Sequence, residues 1–94
     1  MIKSWVTSKT ERFYESGKNS FRGLEAGMAE RRLALLDEVD RLDELAHLKN
    51  MGLHKLKGNR KGQWAITING PWRLCFRFVN GHAFDVEIVD YHKG

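Results

Sequence analysis

Six side chains suited to proton transfer or phosphate binding lie in the second half of the chain: His54, Lys57, Arg73, Asp90, Tyr91 and His92. Histidine titrates closest to neutral pH, arginine presents a fixed fork of donors to phosphate oxygens, and lysine can serve as a cation or a base. Cleavage of RNA by its own 2′-hydroxyl requires a base, a cation beside the phosphate and an acid for the leaving oxygen. These residue types are therefore suited to RNA cleavage without a metal ion.

Each of these residues also has a plainer interpretation. An isolated histidine in a basic loop is usually only solvated, and His92 lies close enough to the end of the sequence to be frayed. Lys57 could be ordinary surface charge, and Arg73 could form an ion pair with Asp85 or Glu87 across a hairpin. Residue chemistry alone thus leaves a nuclease and a non-catalytic nucleic-acid-binding protein both open.

The distribution of charge favours a polyanionic partner. Residues 45–84 contain seven Lys and Arg and no Asp or Glu, whereas residues 11–44 contain nine acids and six bases. The net charges of these segments are +7 and −3, so we expect one strongly basic surface. The four histidines lack the spacing of a metal site, and Cys75 is the only cysteine. We therefore expect neither a metal ion nor another cofactor.

The elements that must position these residues follow from apolar periodicity and turn signals. In the first half, we predict a strand over residues 2–6 and a short helix over 11–16 capped by Ser8 or Thr10. A longer helix should run from about 24 to 39 and continue toward 48, with a break near Asp40. In the second half, a basic loop over residues 49–62 should precede strands over 63–68, 72–78 and 82–90. Asn69-Gly70 and Asn80-Gly81 mark tight turns between these last strands.

This order predicts a single α+β domain over residues 1–94, with two to three N-terminal helices packed on one face of an antiparallel sheet. Along residues 72–78, an apolar set alternates with Arg73, Cys75 and Arg77. The apolar set should pack on the helices, which places Arg73 on the opposite face of the sheet, called here the open face. Arg73 would then lie beside the basic loop.

Three stretches together resemble the HigB-type toxins of the RelE/ParE superfamily. They are the Leu-Lys-Gly-x-Arg-x-Gly-x-Trp pattern at residues 56–64, the Trp-Arg pair that opens residues 72–78, and the Asp-Tyr-His at residues 90–92. The similarity extends over essentially the whole chain and implies a small RelE-like fold.

The resemblance implies a ribosome-dependent mRNA endonuclease that cuts codons in the ribosomal A site and leaves a cyclic phosphate, without a metal ion. The implied catalytic set is His54, Lys57, Arg73, Asp90, Tyr91 and His92. His92 would be the leading acid or base, with a supporting role for His54, while Lys57 and Arg73 would stabilise the phosphate. Asp90 would orient its neighbours, and Tyr91 would contact the substrate.

The same resemblance implies the partners. Lys55, Arg60, Lys61 and Arg77 would contact ribosomal RNA. A HigA-like antitoxin with a helix-turn-helix would neutralise the toxin, and operator DNA would be bound only through the antitoxin complex. No segment approaches the roughly 20 apolar residues that span a bilayer, so we expect a cytoplasmic protein without membrane contact. The alternatives are a ParE-like gyrase inhibitor on the same fold and a non-catalytic ribosome- or RNA-binding module.

Overall fold

The computed structural model describes residues 1–91 and contains three α-helices and a four-stranded antiparallel sheet. The elements are α1 (Ser8–Ser16), α2 (Ala26–Glu38), α3 (Leu42–Ala46), β1 (His54–Lys55), a 3₁₀ turn (Gly58–Arg60), β2 (Trp64–Asn69), β3 (Trp72–Val79) and β4 (His82–Asp90). The predicted α+β class is confirmed. None of the helices in this part of the chain is long and apolar enough to cross a membrane.

Local sequence signals set the ends of the helices. The hydroxyl of Thr7 caps α1 by accepting a hydrogen bond from the N–H of Thr10 at 3.3 Å. The helix therefore begins at Ser8, earlier than predicted, and neither of the two expected capping residues is the cap. The predicted break near Asp40 is confirmed, because α2 and α3 are separate helices on either side of it.

The sheet has the strand order β1-β2-β3-β4, with antiparallel neighbours throughout. Asn80 and Gly81 both have positive φ, 50° and 82°, which suits a tight type I′ turn between β3 and β4. At the preceding turn, the side chain of Asn69 accepts a hydrogen bond from the N–H of Glu25 at 2.9 Å and so ties the turn to α2. Both predicted hairpins are confirmed, whereas β1 lies within the stretch expected to be loop.

The first six residues run beside β4 without forming a continuous strand. The N–H of Lys3 donates to the carbonyl of Ala83 at 2.7 Å, and that of Val6 donates to the carbonyl of Val86 at 3.1 Å. The pairing is parallel and amounts to two isolated bridges in place of the predicted strand. The start of the chain thus packs along the strand that carries the candidate C-terminal residues.

The helices cover one face of the sheet and bury the larger core there. Its fully buried large side chains are Phe13, Leu33, Leu36, Leu45, Ile66, Leu74, Phe76 and Val86. The alternation predicted for β3 is confirmed, because Leu74 and Phe76 face the helices. Burial of such side chains is the main source of stability in a domain of this size.

A second, smaller cluster lies on the open face. Leu56 from the basic loop packs on Ala65 of β2 and Cys75 of β3, and all three side chains are buried. The basic loop therefore folds over part of the open face instead of extending into solvent. This contact fixes the loop relative to the strands that carry the other candidate residues.

Candidate active site

His54 lies on the open face, at one end of a row of paired residues. The register joins His54 to Ala65, Ala65 to Cys75, and Cys75 to Glu87, and residues paired across strands share a face. Nδ1 of the exposed His54 lies 2.9 Å from the carbonyl oxygen of Gly52. Because a carbonyl oxygen can only accept, Nδ1 carries the hydrogen and Nε2 of the neutral ring keeps its lone pair. His54 can therefore accept a proton at Nε2.

Arg73 lies on the same face, and the backbone orients its guanidinium. It pairs with Thr67 on β2 and with Val89 on β4. Nη1 donates to the carbonyl of Gly70 at 2.7 Å and to the carbonyl of Trp72 at 3.0 Å. These two bonds hold the fork of donors in one orientation before any ligand binds.

The interpretation of Arg73 as an ion-pair partner is wrong. Glu87 lies 3.4 Å from Nη1 of Arg60, and Asp85 lies 3.2 Å from Nε of Arg77. Within residues 1–91, the hydrogen bonds of Arg73 all come from Nη1. Nε and Nη2 are thus available for a phosphate.

Lys57 lies where the basic loop turns. It immediately precedes the 3₁₀ turn, its side chain is exposed, and its carbonyl accepts a hydrogen bond from the N–H of Arg60 at 3.2 Å. A cavity of about 490 Å³ opens beside it, lined by Lys55, Leu56, Lys57, Gly58, Lys61 and Gly62. Three lysines around one concave surface suit a phosphate-rich ligand. The structure places Lys57 next to the buried Leu56, at the border of the open face.

The end of the described chain reaches the open face at Tyr91, and His92 lies outside the described residues. The N–H of Tyr91 donates to the carbonyl of Pro71 at 2.7 Å, which continues the pairing of β3 with β4. Asp90 pairs with Trp72, a residue packed against the helix-covered core. Alternation therefore places Tyr91 on the open face, with 37% of its surface exposed, and Asp90 on the other face.

The four residues expected to contact ribosomal RNA differ in their surroundings. Nζ of Lys55 lies 5.6 Å from the centroid of the Trp64 ring, which belongs to the helix-covered face. Lys61 is exposed. Arg60 and Arg77 form the ion pairs described above, so part of their charge is used within the protein.

Glu87 and Gln63 belong to the same region and were missed by sequence reasoning. Nη1 of Arg60 donates to Oε1 of Gln63 at 3.0 Å in addition to its contact with Glu87. Strict alternation along β4 from Val89 places Glu87 on the open face and could have identified it. The contact with Arg60 had no local signal, because the two residues are 27 positions apart.

Cys75 lies at the centre of the open face but is not a reactive thiol. Burial raises its pKa to about 11, although the charges of Arg60 and Arg73 act in the opposite direction. The thiol is therefore neutral at physiological pH and packs as an apolar side chain. Among residues 1–91, no three His, Cys, Asp or Glu side chains are grouped closely enough to hold a metal ion.

Two comparisons with known proteins identify the family of this chain. Residues 3–92 match the model of a family described as the RelE-like toxin of type II toxin-antitoxin system HigB. The chain is also 36% identical over 94 residues to the Endoribonuclease HigB of Proteus vulgaris, a match that covers 98% of this chain and 100% of that protein. Both matches therefore cover the stretch of the chain in which the candidate residues lie.

Proposed function

The chain belongs to the family of RelE-like HigB toxins of type II toxin-antitoxin systems, and we propose that it is an endoribonuclease that cuts mRNA in the A site of the translating ribosome. The observation that carries the nuclease activity is the full-length similarity to a protein named Endoribonuclease HigB. The geometry of the open face supports it, because a proton acceptor at His54 and a pre-oriented Arg73 lie on the same side of the sheet.

The proposed reaction uses the RNA as its own nucleophile. A base removes the proton of the 2′-hydroxyl, and the resulting oxygen attacks the neighbouring phosphorus. The bond from phosphorus to the 5′-oxygen breaks, an acid protonates that oxygen, and a 2′,3′-cyclic phosphate is left. His92 is the leading acid or base in this proposal, and Nε2 of His54 supports it in proton transfer.

Two cations stabilise the charge that builds on the phosphate. Arg73 presents Nε and Nη2 in a fixed orientation, which suits a bidentate contact with two phosphate oxygens. Lys57 supplies a second positive charge from the basic loop. Tyr91 contacts the RNA from the open face. Asp90 directly precedes Tyr91 and pairs with Trp72 on β3. Its proposed role is to orient the neighbouring residues.

The exposure of the candidate residues supports the proposed dependence on the ribosome. His54 and Lys57 are exposed, and a flexible RNA strand has to be held in line for attack. The ribosome provides a constrained mRNA, and the +7 charge of residues 45–84 provides the attraction to ribosomal RNA. Lys55, Lys61 and Arg77 are the proposed contacts, with Arg77 using the donors left by its ion pair. Arg60, which the sequence also suggested, is partly buried against Glu87 and is not proposed as a contact.

The toxin-antitoxin family implies an antitoxin as partner. We propose that this partner is a HigA-like protein with a helix-turn-helix, which covers the toxin and binds operator DNA as a complex. A neighbouring reading frame for a small helix-turn-helix protein would support this assignment, and co-purification would test it.

Expression in cells followed by mapping of mRNA 5′ ends tests the proposed activity. Wild type should arrest growth and produce cuts within translated codons, His92→Gln should produce few, and the exposed control Lys18→Gln should match wild type. Growth arrest with DNA breaks, an SOS response and intact mRNA would favour gyrase inhibition instead. Growth arrest that is unchanged by both His92→Gln and Arg73→Ala would favour a non-catalytic binding module.

A further inference from the structure

An ion pair connects the basic loop to the last strand across the open face. Arg60, at the end of the 3₁₀ turn, places Nη1 and Nη2 at 3.4 and 3.5 Å from Oε1 of Glu87 on β4. Between them lies β3, where Cys75 pairs directly with Glu87. The side chain of Arg60 therefore connects the basic loop with β4 on the far side of β3.

We propose that Glu87 is a positioning residue of the active site, which acts through Arg60 to hold the basic loop in its catalytic geometry. The inference rests on the proposed nuclease function, and it gives a role to a carboxylate that the catalytic set does not include. Glu87 does not contact the substrate in this proposal.

A short series of contacts links Glu87 to the candidate catalytic lysine. Glu87 accepts from the guanidinium of Arg60, and the N–H of Arg60 donates to the carbonyl of Lys57 at 3.2 Å. The same guanidinium donates to Gln63 at 3.0 Å, and the carbonyl of Gln63 accepts from the N–H of Leu56 at 2.9 Å. Both sides of the loop thus meet at Arg60, so a shift of Arg60 shifts Lys57.

The loop has few other connections that could fix it. β1 pairs with β2 through only two residue pairs, one of which contains His54. The start of the loop is fixed by the buried Met51, whose carbonyl accepts from the N–H of Thr67 at 2.9 Å. Around the 3₁₀ turn, loss of the contact with Glu87 would leave the buried Leu56, this short pairing and a contact of 3.5 Å from Nη1 of Arg77 to the carbonyl of Lys61. Displacements on the scale that impairs catalysis then become possible at Lys57.

Burial and charge favour this role over direct RNA binding by Arg60. The side chains of Arg60 and Glu87 are only 32% and 20% exposed, compared with 71% and 49% for the surface pair Arg41–Asp43. A phosphate approaching Arg60 would meet the carboxylate of Glu87 at the same point, and like charges repel. Removal of one partner from a partly buried pair also costs more than removal from an exposed pair, because the remaining charge is left without compensation.

The test compares Glu87→Gln and Arg60→Met with the control Asp43→Asn, which breaks the exposed surface pair. Cleavage by purified toxin on programmed ribosomes is followed at saturating ribosomes and as a function of ribosome concentration. We expect the saturating rate to fall about 10- to 100-fold in both test variants, while the half-saturating ribosome concentration and the Asp43→Asn rates stay near wild type. The charge-swapped double variant Arg60→Glu with Glu87→Arg should recover part of the rate.

A second readout does not depend on nuclease activity. Hydrogen exchange at the amides of Leu56 and Arg60 should accelerate in Glu87→Gln, because both amides lie in the contacts that the pair holds. If Glu87→Gln fails to fold, the same acceleration is expected in Arg60→Lys, because lysine keeps the positive charge but lacks the planar set of guanidinium donors.

Two results would overturn the inference. One is a Glu87→Gln variant whose cleavage rate and amide hydrogen exchange both equal those of the wild type. The other is a raised half-saturating concentration with an unchanged saturating rate in Arg60→Met, which is the behaviour of a residue that binds RNA. A wild-type toxin that does not cleave at all would instead refute the proposed function, and hydrogen exchange would still decide the role of Glu87.

Discussion

Replacement of Arg73 by lysine separates the effect of charge from the effect of orientation. Nη1 of Arg73 is held by the carbonyls of Gly70 and Trp72 at 2.7 and 3.0 Å. This contact uses Nη1 of the guanidinium and leaves Nε and Nη2 without a hydrogen bond to residues 1–91. A lysine ammonium has all its donors on a single atom, so it can contact either the carbonyls or the phosphate in good geometry.

The expected loss follows from the number of contacts. Arg73→Lys keeps the positive charge but loses one hydrogen bond to a charged phosphate oxygen, which is worth about 1.5–3 kcal/mol. At about 1.4 kcal/mol for each factor of ten, the cleavage rate should fall roughly ten- to hundredfold. Arg73→Ala, which also removes the charge, should fall further. Neither change should unfold the protein, because Arg73 is only partly buried.

Single-turnover cleavage on programmed ribosomes measures this effect, with ribosome binding and thermal melting recorded for each variant. A lysine variant that cleaves within about twofold of wild type would refute the reasoning, because orientation by the two carbonyls would then contribute nothing. An alanine variant that cleaves as fast as the lysine variant would contradict the expected contribution of the positive charge.

Three further predictions concern stability and reactivity. Thr10→Val should lower the free energy of unfolding in urea by about 1–3 kcal/mol, because the hydroxyl of the buried Thr10 accepts the N–H of Ile88 at 3.2 Å and valine leaves that group unpaired; an unchanged midpoint would contradict this. Gly52→Ala should also destabilise the protein, since φ is +64° and an added Cβ would lie 2.6 Å from the hydroxyl of Thr67; a melting temperature equal to wild type would count against the argument. The thiol of Cys75 should resist a thiol reagent at pH 8 in the folded protein and react after unfolding, because its pKa is raised to about 11. Fast labelling of the native protein at pH 8 would contradict this low reactivity. The stability that the buried neutral thiol contributes is complete below its unfolded pKa near 9 and is lost as the pH rises through 11.

Features encoded by neighbouring residues could be predicted from the sequence. The Asn80-Gly81 turn requires two residues that accept positive φ, and the structure has both at 50° and 82°. Alternation along β3 placed Leu74 toward the helices and Arg73 away from them, which is also observed. In each case the signal lies within a few positions of the residue it describes.

Features that depend on distant partners could not be predicted in this way. Arg60 looked like a surface cation, and its contact with Glu87 exists only because the basic loop folds back over β3. The strand predicted near the N-terminus had the right local pattern, but its pairing depends on β4, about 80 positions later, and yields two isolated bridges. The two-residue β1 was missed because glycines and lysines surround it and hide the alternation.

Parallel pairing between the two ends of the chain also affects when the protein can fold. The N–H groups of Lys3 and Val6 find their acceptors on Ala83 and Val86, which are synthesised about 80 positions later. Contacts of such long sequence separation have to wait for both partners. A nascent chain therefore lacks this pairing, and with it the strand that carries Asp90 and Tyr91, until β4 has left the ribosome. The first six residues have no place to dock on a chain from which β4 has not yet emerged.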